Sequence, residues 1–366
     1  MPDNLQVTML PAKEGDCLMV AYGKDLNRKY ILIDAGRAWT YKKALKNYLK
    51  VNHITKLELL VITHVDRDHI DGMLELIKDT HLYLQVKNIW FNTYDHLRGR
   101  KIEIPQSEHD TEIFGAAMGE ELSKEIIRKG WPWNRQFSSK AVELDNNAAE
   151  NTLEFDDMKL VLLSPDRDKL EALQPDWERE CQEAGIAPGS TVEDYEIVDD
   201  DMEEFGPIDI DALAEEVFTE DSSSANGSSI AFILEYKNRK ILLSGDAHPD
   251  LLVKSLKNMG SSASHPLKVD AFKVPHHGSK YNISKELLRM IQCDHYLVAT
   301  NGNYFKHPEK VAMARIIKYG TPDSAISFNY KTDYTRIWAN NNWQQKYRYC
   351  TNYPKTGQDG YLSLDW

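Results

Sequence analysis

The most informative segment of the chain reads Leu59-Leu60-Val61-Ile62-Thr63-His64-Val65-Asp66-Arg67-Asp68-His69. Its first half is an unbroken apolar run, which is typical of a buried strand that ends at the rim of a sheet. Its second half places two imidazoles and two carboxylates within six residues, and all four side chains are of types that bind divalent metals. A charged surface loop rarely carries four such residues spaced His-x-Asp-x-Asp-His, so we predict a metal site on this loop.

Length and composition limit the class of protein. The chain has 366 residues, of which 42% are apolar, so it can form one large domain or two ordinary ones. No apolar run approaches the roughly 18 residues of a membrane-spanning helix, and residues 1–4 lack the features of a signal peptide. The four cysteines lie far apart and indicate neither a disulfide framework nor a cysteine zinc site. We therefore expect a cytoplasmic protein without a membrane segment.

The net charge of −13 is concentrated in one segment. Residues 191–221 contain fourteen Asp and Glu and no Lys or Arg, and the remaining chain carries 44 basic and 43 acidic side chains. A protein that is acidic throughout would repel a polyanionic substrate, whereas a local acidic insert argues much less against one. Three interpretations of this insert stay open: a solvated linker with one short helix near 210–218, a docking arm for a protein partner, or a nucleic-acid mimic.

Several other predicted strands end in loops that carry side chains able to bind metal or phosphate. Strands are predicted at residues 5–10, 17–22, 30–34, 86–91, 159–163, 230–236, 240–243, 269–274 and 295–300, and helices at 39–49 and, after a capping box at 107–110, at 113–126. The loops after three strands read Ser244-Gly245-Asp246-Ala247-His248, Pro275-His276-His277-Gly278-Ser279-Lys280 and Asn301-Gly302-Asn303-Tyr304-Phe305-Lys306-His307-Pro308. Loops at one edge of a rigid sheet commonly assemble a site, so we expect these side chains to converge.

Together these motifs resemble the metallo-β-lactamase superfamily. The residues that carry the resemblance are His64-x-Asp66-x-Asp68-His69, Asp246 in a Gly-Asp turn, and His276-His277-Gly278-Ser279. Within the superfamily the chain is most similar to the nuclease-like domain of ComEC-type DNA-uptake proteins and their stand-alone relatives. That similarity rests on Asp66 in place of the second His, the Asn226…Ser229 strand entry, the His-His-Gly-Ser turn and the Asn303-x-x-x-His307-Pro308 element.

The resemblance covers about residues 5–339, except for the stretches near 95–150 and 166–221. It implies an α+β fold, the four-layer αβ/βα metallo-β-lactamase sandwich, in which two mixed sheets have helices outside. We expect a single domain over residues 1–366, with insertions at about 95–150 and at 191–221. Nothing in the chain resembles the membrane segments of the full uptake protein, so the resemblance does not imply transport.

The resemblance also implies two divalent metal ions bound by side chains of these loops. The implied metal ligands are His64, Asp66, Asp68, His69, Asp246 and His277. The first two would bind one ion, the next two would bind a second ion about 3.5–4 Å away, and Asp246 would bridge them. His277 is preferred over His276 as the last ligand because the terminal metal-binding His of the family commonly stands directly before a Gly.

The chain departs from the common superfamily pattern at the first metal position. Asp66 replaces an imidazole, and the third His that ordinary members place before the bridging Asp is missing. Asn226 stands near that place, where it serves either as a substrate-binding residue or as a simple turn residue. The resulting oxygen-rich site favours Mn²⁺ or Mg²⁺ more than a site with three imidazoles and Zn²⁺ would.

This combination predicts a metal-dependent hydrolase, most simply a phosphodiesterase or nuclease that uses hydroxide activated by two metals. Asp68 would steer the proton of the attacking water, and phosphodiesters suit a centre that stabilises charge on oxygen. Three further groups would serve the substrate: His276 and Ser279 as contacts, Lys280 as a phosphate-binding catalytic cation, and His307 as a proton donor or phosphate ligand. Two alternatives remain, a hydrolase of small esters, lactones or thioesters, and a metal-binding adaptor that docks through the acidic insert.

Overall fold

Two large β-sheets form the centre of the computed structural model. The described residues are 4–24, 27–101, 117–138, 140–155, 157–183 and 208–366. The strands are β1 (Asn4–Met9), β2 (Leu18–Gly23), β3 (Lys29–Ile33), β4 (Lys56–Leu57), β5 (Leu59–Val61), β6 (Gln85–Val86), β7 (Ile89–Trp90), β8 (Thr152–Phe155), β9 (Met158–Ser164), β10 (Ala231–Tyr236), β11 (Arg239–Leu243), β12 (Leu267–Lys273), β13 (Ile291–Val298), β14 (Ser324–Phe328), β15 (Tyr349–Asn352) and β16 (Leu362–Asp365). One sheet has the order β16-β1-β2-β3-β5-β7 and the other β15-β14-β13-β12-β11-β10-β9-β8, while β4 and β6 form a small third sheet.

Helices cover the outer faces of the two large sheets. They are α1 (Ala38–Thr40), which continues through a π-helical segment (Tyr41–Leu45) into α2 (Lys46–Val51), then α3 (Arg67–Lys78), α4 (Tyr94–Leu97), α5 (Ala117–Lys129), α6 (Arg167–Glu183), α7 (Ile210–Ala214), α8 (Ser224–Gly227), α9 (Pro249–Asn258), α10 (Lys285–Arg289), α11 (Lys310–Tyr319), α12 (Asp333–Arg336) and α13 (Asn341–Tyr347). Within the described ranges, none of these helices is both long enough and apolar enough to span a bilayer.

The protein has four layers, two sheets with helices outside each, and a hydrophobic cluster lies between each pair of adjacent layers. A cluster that includes Val20 and Phe232 fills the space between the two large sheets. A second cluster, with Leu60 and Ile70, joins the first sheet to α2, α3 and α5. A third cluster, with Phe272, joins the second sheet to α9, α10 and α11. The predicted α+β fold, a four-layer αβ/βα sandwich, is therefore confirmed.

Strand β5 shows why the apolar run of the sequence has no alternation. Successive side chains of a strand point to opposite faces of its sheet. Leu59 and Val61 lie in the cluster between the sheets, whereas Leu60 faces the helices, and all three are almost completely buried. Because both faces of the strand are covered, every position is apolar, and the first polar residues appear where the strand leaves the sheet.

Most predicted elements appear near their predicted positions, with two informative differences. Strand β13 begins at Ile291, four residues before the predicted start at 295. The predicted strand 86–91 is split, because β6 pairs with β4 in the small sheet whereas β7 pairs with β5 in the first large sheet. The capping box predicted at 107–110 lies outside the described residues. The single-domain organisation and the insertion at 95–150 stay predictions.

The end of the acidic insert packs against the body of the protein. Residues 191–207 lie outside the described part, but 208–221 are described, and α7 packs on α11 with Ile210 and Ala214 buried. The carboxylates of α7 and the residue after it form the ion pairs Asp211–Lys318, Asp211–Lys346, Glu215–Lys285 and Glu215–Lys318. The short helix is thus confirmed, and the solvated-linker interpretation is wrong for residues 208–221. The docking-arm and mimic interpretations stay predictions.

We expect Ile210→Ala to lower the free energy of unfolding by about 2–5 kcal/mol, because it removes a buried side chain and leaves a cavity. Val217, which is 92% exposed, supplies the matched control. Val217→Ala should change the stability by no more than about 0.5 kcal/mol. Denaturant unfolding measures both variants, and equal stability of the two would contradict the docking of α7 on α11.

Candidate functional site

Loops from the two large sheets meet at one edge of the sandwich. Strands β11, β12 and β13 are parallel neighbours, so their carboxyl ends lie on the same side of the second sheet. From the first sheet, β5 leads through His64 to α3, whose N-cap is Asp66 and whose first turn carries Asp68 and His69. The predicted convergence of these loops is observed, and both sheets contribute to it.

Four imidazoles surround the carboxylate of Asp246. The distances from its Oδ2 to the Nε2 atoms are 3.5 Å for His69, 3.7 Å for His277, 3.9 Å for His276 and 4.0 Å for His64. Asp246 and the rings of His64, His69 and His277 are buried, whereas the side chain of His276 is 26% exposed. His276 therefore lies at the open side of the cluster.

Two further carboxylates border this cluster. Asp66 Oδ2 lies 3.4 Å from His64 Nε2. Asp68 Oδ2 lies 3.9 Å from the Nε2 atoms of both His69 and His277. Among the described residues, three groups have ligand atoms that all lie within 4.8 Å of one another: His64, His69 and Asp246; Asp68, His69 and His277; and Asp16, Asp34 and His69. The six predicted metal ligands are thus brought together.

Hydrogen bonds at Nδ1 orient the buried imidazoles. The contacts of Nδ1 are Asp34 Oδ2 at 2.8 Å for His69, the Ala299 carbonyl oxygen at 2.9 Å for His277 and Thr63 Oγ1 at 2.9 Å for His64. Asp34 and the Ala299 carbonyl can only accept at these contacts, so Nδ1 of His69 and His277 carries the proton and Nε2 presents a lone pair. The Thr63 hydroxyl donates to Asp34 Oδ2 at 2.7 Å, so its oxygen accepts from His64 in the same way.

The atoms that face one another across the cluster are buried and unpaired. His64 Nε2, His69 Nε2, His277 Nε2 and Asp246 Oδ1 have no hydrogen-bond partner among the described residues. A buried polar atom without a partner costs about 1–3 kcal/mol, so several of them directed at one point indicate a ligand that satisfies them together. Imidazole nitrogens and carboxylate oxygens are donors that divalent metals use, so these residues fit a metal centre.

The electrostatics of the cluster also suit a cation. Burial raises the pKa of Asp246, but the imidazoles of His69 and His277 outweigh that effect and hold the pKa well below its usual range. Burial lowers the pKa of His69, but Asp246 and Asp34 raise it well above its usual value. Burial holds the pKa of His277 well below its usual value, so this ring is neutral. The ionised carboxylate of Asp246 and the neutral ring of His277 are forms that bind metals, and His69 would release its Nε2 proton when a cation binds beside it.

Sequence analysis missed a buried ion pair beneath the cluster. Lys273 Nζ lies 2.7 Å from Asp16 Oδ2, and both side chains are almost completely buried. Asp16 Oδ1 lies 3.6 Å from His277 Nδ1, so the pair borders a predicted ligand. The signal was a lysine inside the otherwise apolar end of β12, since a fully buried lysine requires a charged partner.

Two other residues were missed because their surroundings suggested simpler roles. Asp34 is the last residue of a predicted strand and the sequence indicates no further role for it, yet it accepts hydrogen bonds from the Thr63 backbone and hydroxyl and from His69. Asp221 was counted among the acids of the insert. Its Oδ2 accepts from Asn226 Nδ2 at 2.7 Å and from Asn282 Nδ2 at 3.0 Å.

The predicted substrate residues lie near the cluster, but they differ in burial, pairing and charge. Asn226 is buried and Ser279 accepts a hydrogen bond from the backbone of the loop that follows it. Lys280 Nζ pairs with Glu309 Oε1 at 3.0 Å, which balances its charge. The ring of His307 lies 5.3 Å from that of His276, and burial lowers the pKa of His307 to about 3. His307 is thus neutral near pH 7 and would meet a phosphate as an uncharged ring.

Comparison with known proteins gives limited sequence similarity. No family model matches the chain. A curated protein that matches is ComE operon protein 3 of Bacillus subtilis (strain 168), which is 20% identical over 352 residues. The match covers 89% of this chain and 33% of that protein, so the chain spans about one third of the length of its relative.

Comparison with solved structures gives matches over most of the chain. The metallo-β-lactamase fold protein YhfI from Bacillus subtilis is 10% identical, with full coverage of both chains and a TM-score of 0.41. CmlA, a diiron β-hydroxylase from Streptomyces venezuelae, is 10% identical, with 100% of this chain and 55% of that chain covered and a TM-score of 0.42. A long-form RNase Z from yeast is 11% identical, with coverage of 96% and 45% and a TM-score of 0.36. The four-layer sandwich described above is the arrangement that the predicted resemblance implies, so the resemblance is confirmed for the fold.

Close packing of a glycine fixes the position of Asp68 in the first turn of α3. A Cβ atom added at Gly15 would lie 1.8 Å from the carbonyl oxygen of Asp68, a distance that no real contact allows. The loop after β1 therefore rests directly against the backbone that carries Asp68.

We expect Gly15→Ala to cost about 3 kcal/mol or more of unfolding free energy, because the two backbones must separate. Gly99→Ala is the matched control, since a Cβ at Gly99 meets open space and pays only for its positive φ of 67°. We expect that control to cost about 1–2 kcal/mol. Denaturant unfolding of both variants tests the contact. If Gly15→Ala loses no more unfolding free energy than Gly99→Ala, the loop after β1 can move aside and the contact does not fix it.

Proposed function

We propose that this protein is a metal-dependent hydrolase that cleaves phosphodiester bonds in nucleic acid or in another phosphodiester. The observation that carries the proposal is the set of buried, unpaired Nε2 atoms directed at the ionised carboxylate of Asp246. Such a set is typical of a metal centre, and its position at the edge where loops of both sheets meet supports this use.

The proposed ligands divide into two positions that share Asp246. The first position has His64 and Asp66, and the second has Asp68, His69 and His277. Two divalent cations bound there would supply Lewis-acid chemistry, since they lower the pKa of water and neutralise charge on phosphate oxygens. The donors support a choice of metal, since the carboxylate of Asp66 favours Mn²⁺ over Zn²⁺, with Mg²⁺ as a further candidate.

The protein side chains then have separate tasks in the hydrolysis. Burial raises the pKa of Asp68, which makes its carboxylate a better acceptor for the proton of an attacking water. The charge of Lys280 is close enough to His307 to lower the pKa of that imidazole further, so both groups border the same region. Lys280 and the neutral ring of His307 would contact the phosphate, with Ser279 and Asn226 supporting the loops behind them.

One observation favours a second candidate function, the hydrolysis of small esters, lactones or thioesters. The ion pair between Lys280 and Glu309 removes much of the positive charge that would attract a polyanion. If Glu309 retains this pairing during turnover, a small neutral substrate is as suitable as a nucleic acid. Activity on a panel of substrates decides between the two functions.

We expect the purified protein to hydrolyse bis-p-nitrophenyl phosphate and at least one of single-stranded DNA, duplex DNA and RNA. Asp68→Ala and His69→Ala should abolish this activity and leave the unfolding transition in place, because both residues lie in the first turn of α3 and neither belongs to the hydrophobic cluster beneath that helix. His265→Ala, at an exposed position outside the cluster, is the control and should keep full activity.

Metal content measured on the same samples completes this test. Wild-type turnover and undiminished metal content in Asp68→Ala or His69→Ala would refute the metal-centre proposal. Hydrolysis of a lactone but of no phosphodiester would favour the second candidate function instead.

We expect Mn²⁺ to support a higher maximal rate than Zn²⁺ in protein stripped of metal and then titrated. The reason is the carboxylate of Asp66, which makes the first position richer in oxygen than a site with three imidazoles. Asp66→His should shift the preference toward Zn²⁺. A higher maximal rate with Zn²⁺ in the wild type, unchanged by Asp66→His, would contradict this assignment.

A further inference from the structure

Two consecutive histidines point into the same cluster because their backbone is left-handed. His276 has φ 47° and ψ 48°, and His277 has φ 52° and ψ 15°. Adjacent side chains on an extended backbone point to opposite sides, whereas here both Nε2 atoms lie within 3.9 Å of Asp246 Oδ2. A left-handed conformation costs about 1–2 kcal/mol for each non-glycine residue, so a function that needs both rings in place explains why it is kept.

The ring of His276 is held from behind by its own hydrogen-bond network. Its Nδ1 lies 3.0 Å from Asn282 Oδ1 and 3.5 Å from Asp221 Oδ2. Asn282 is itself fixed, since its Nδ2 donates to Asp221 Oδ2 at 3.0 Å and to the backbone oxygen of Asp246 at 3.1 Å. With Nδ1 engaged by these acceptors, Nε2 faces Asp246, which is the same arrangement that Asp34 and Ala299 impose on His69 and His277.

The two proposed metal positions are unequally supplied with ligands. The second position has Asp68, His69 and His277 besides the shared Asp246. The first has only His64 and Asp66 besides Asp246, because the third imidazole of ordinary superfamily members is missing. Asn226 stands near that missing imidazole in the sequence, and its Nδ2 lies 3.4 Å from His276 Nδ1. The ring of His276 therefore lies beside Asn226 and beside Asp246, the residue that both positions share.

We propose that His276 is a ligand of the first metal position, in place of the missing third imidazole, and that Asp221 is the positioning residue that orients it. The proposal rests on the proposed metal centre but not on the identity of the substrate. It reassigns His276 from the substrate contact that the sequence suggested, and it gives the last residue of the acidic insert a role in the centre. With His276 the first position has two imidazoles and two carboxylates.

The competing role for His276 is proton donation to the leaving group. Burial lowers its pKa, but Asp246 and Asp221 raise that pKa to about 9, so the ring carries a proton when no cation offsets these charges. A metal ligand must give up that proton on binding, whereas a proton donor must keep it. Metal binding therefore distinguishes the two roles independently of turnover.

The test measures metal content and affinity in His276→Ala, Asp221→Asn and the wild type. We expect the wild type to bind two Mn²⁺ per chain and His276→Ala to retain one, with added imidazole restoring the second. Asp221→Asn keeps the shape of the side chain and should weaken the first position about 10–100-fold. Loading with Co²⁺ should give absorption bands that change in His276→Ala, because a nitrogen ligand is lost.

His307→Ala is the matched control, since its ring lies beside that of His276 but is not a proposed ligand. It should bind two Mn²⁺ with the affinity of the wild type. If His276→Ala does not fold, His276→Gln is measured in its place.

Two results would overturn the proposal. Two Mn²⁺ of unchanged affinity in the His276 variant, with a raised KM or a lost basic limb in the pH profile, would assign His276 to substrate or to proton donation and leave the proposed function intact. If the wild type binds none of Mn²⁺, Zn²⁺ and Co²⁺, both this proposal and the proposed function are refuted.

Discussion

The buried charge of Asp246 is the constraint on which this region of the structure depends. An ionised carboxylate inside a protein is stable only when other groups compensate its charge, and here imidazole rings do so from several sides. Each ring needs its own support, which Asp34 gives to His69 and the Ala299 carbonyl gives to His277. The loops of both sheets must therefore meet at one point, and the left-handed turn and the contact at Gly15 are consequences of bringing them so close.

The sequence revealed those features that depend on short stretches of chain. The apolar run at β5 predicts a strand covered on both faces, and the polar burst after it predicts a rim loop, because both signals are contained in eleven residues. Strand ends that carry Asp246 and His277 were found in the same way. The four layers follow from these alternating elements, since each apolar face must be covered by another element.

Pairing between distant residues could not be predicted, because local pattern contains no information about it. Lys280 suggested a free cation, yet Glu309, 29 residues later, neutralises it. In the sequence, Asp221 is one more acidic residue of a charged insert. Its hydrogen-bond partner Asn282 lies 61 residues away, so no local pattern distinguishes Asp221 from its neighbours. His276 was ambiguous for a conformational reason: two adjacent histidines can share one site only when the backbone is left-handed, and residue type alone does not predict that.

The docked end of the acidic insert has a thermodynamic consequence. Residues 208–221 bury Ile210 against α11 at one end and hydrogen-bond Asn226 and Asn282 through Asp221 at the other. Docking of this segment and the order of the side chains around His276 therefore belong to one equilibrium. Linkage is reciprocal, so any ligand that binds more tightly to the ordered cluster also favours the docked segment, by the same free energy. Resistance of residues 208–221 to proteolysis therefore reports whether the cluster around His276 is ordered, although the segment contacts that cluster only through its last residue, Asp221.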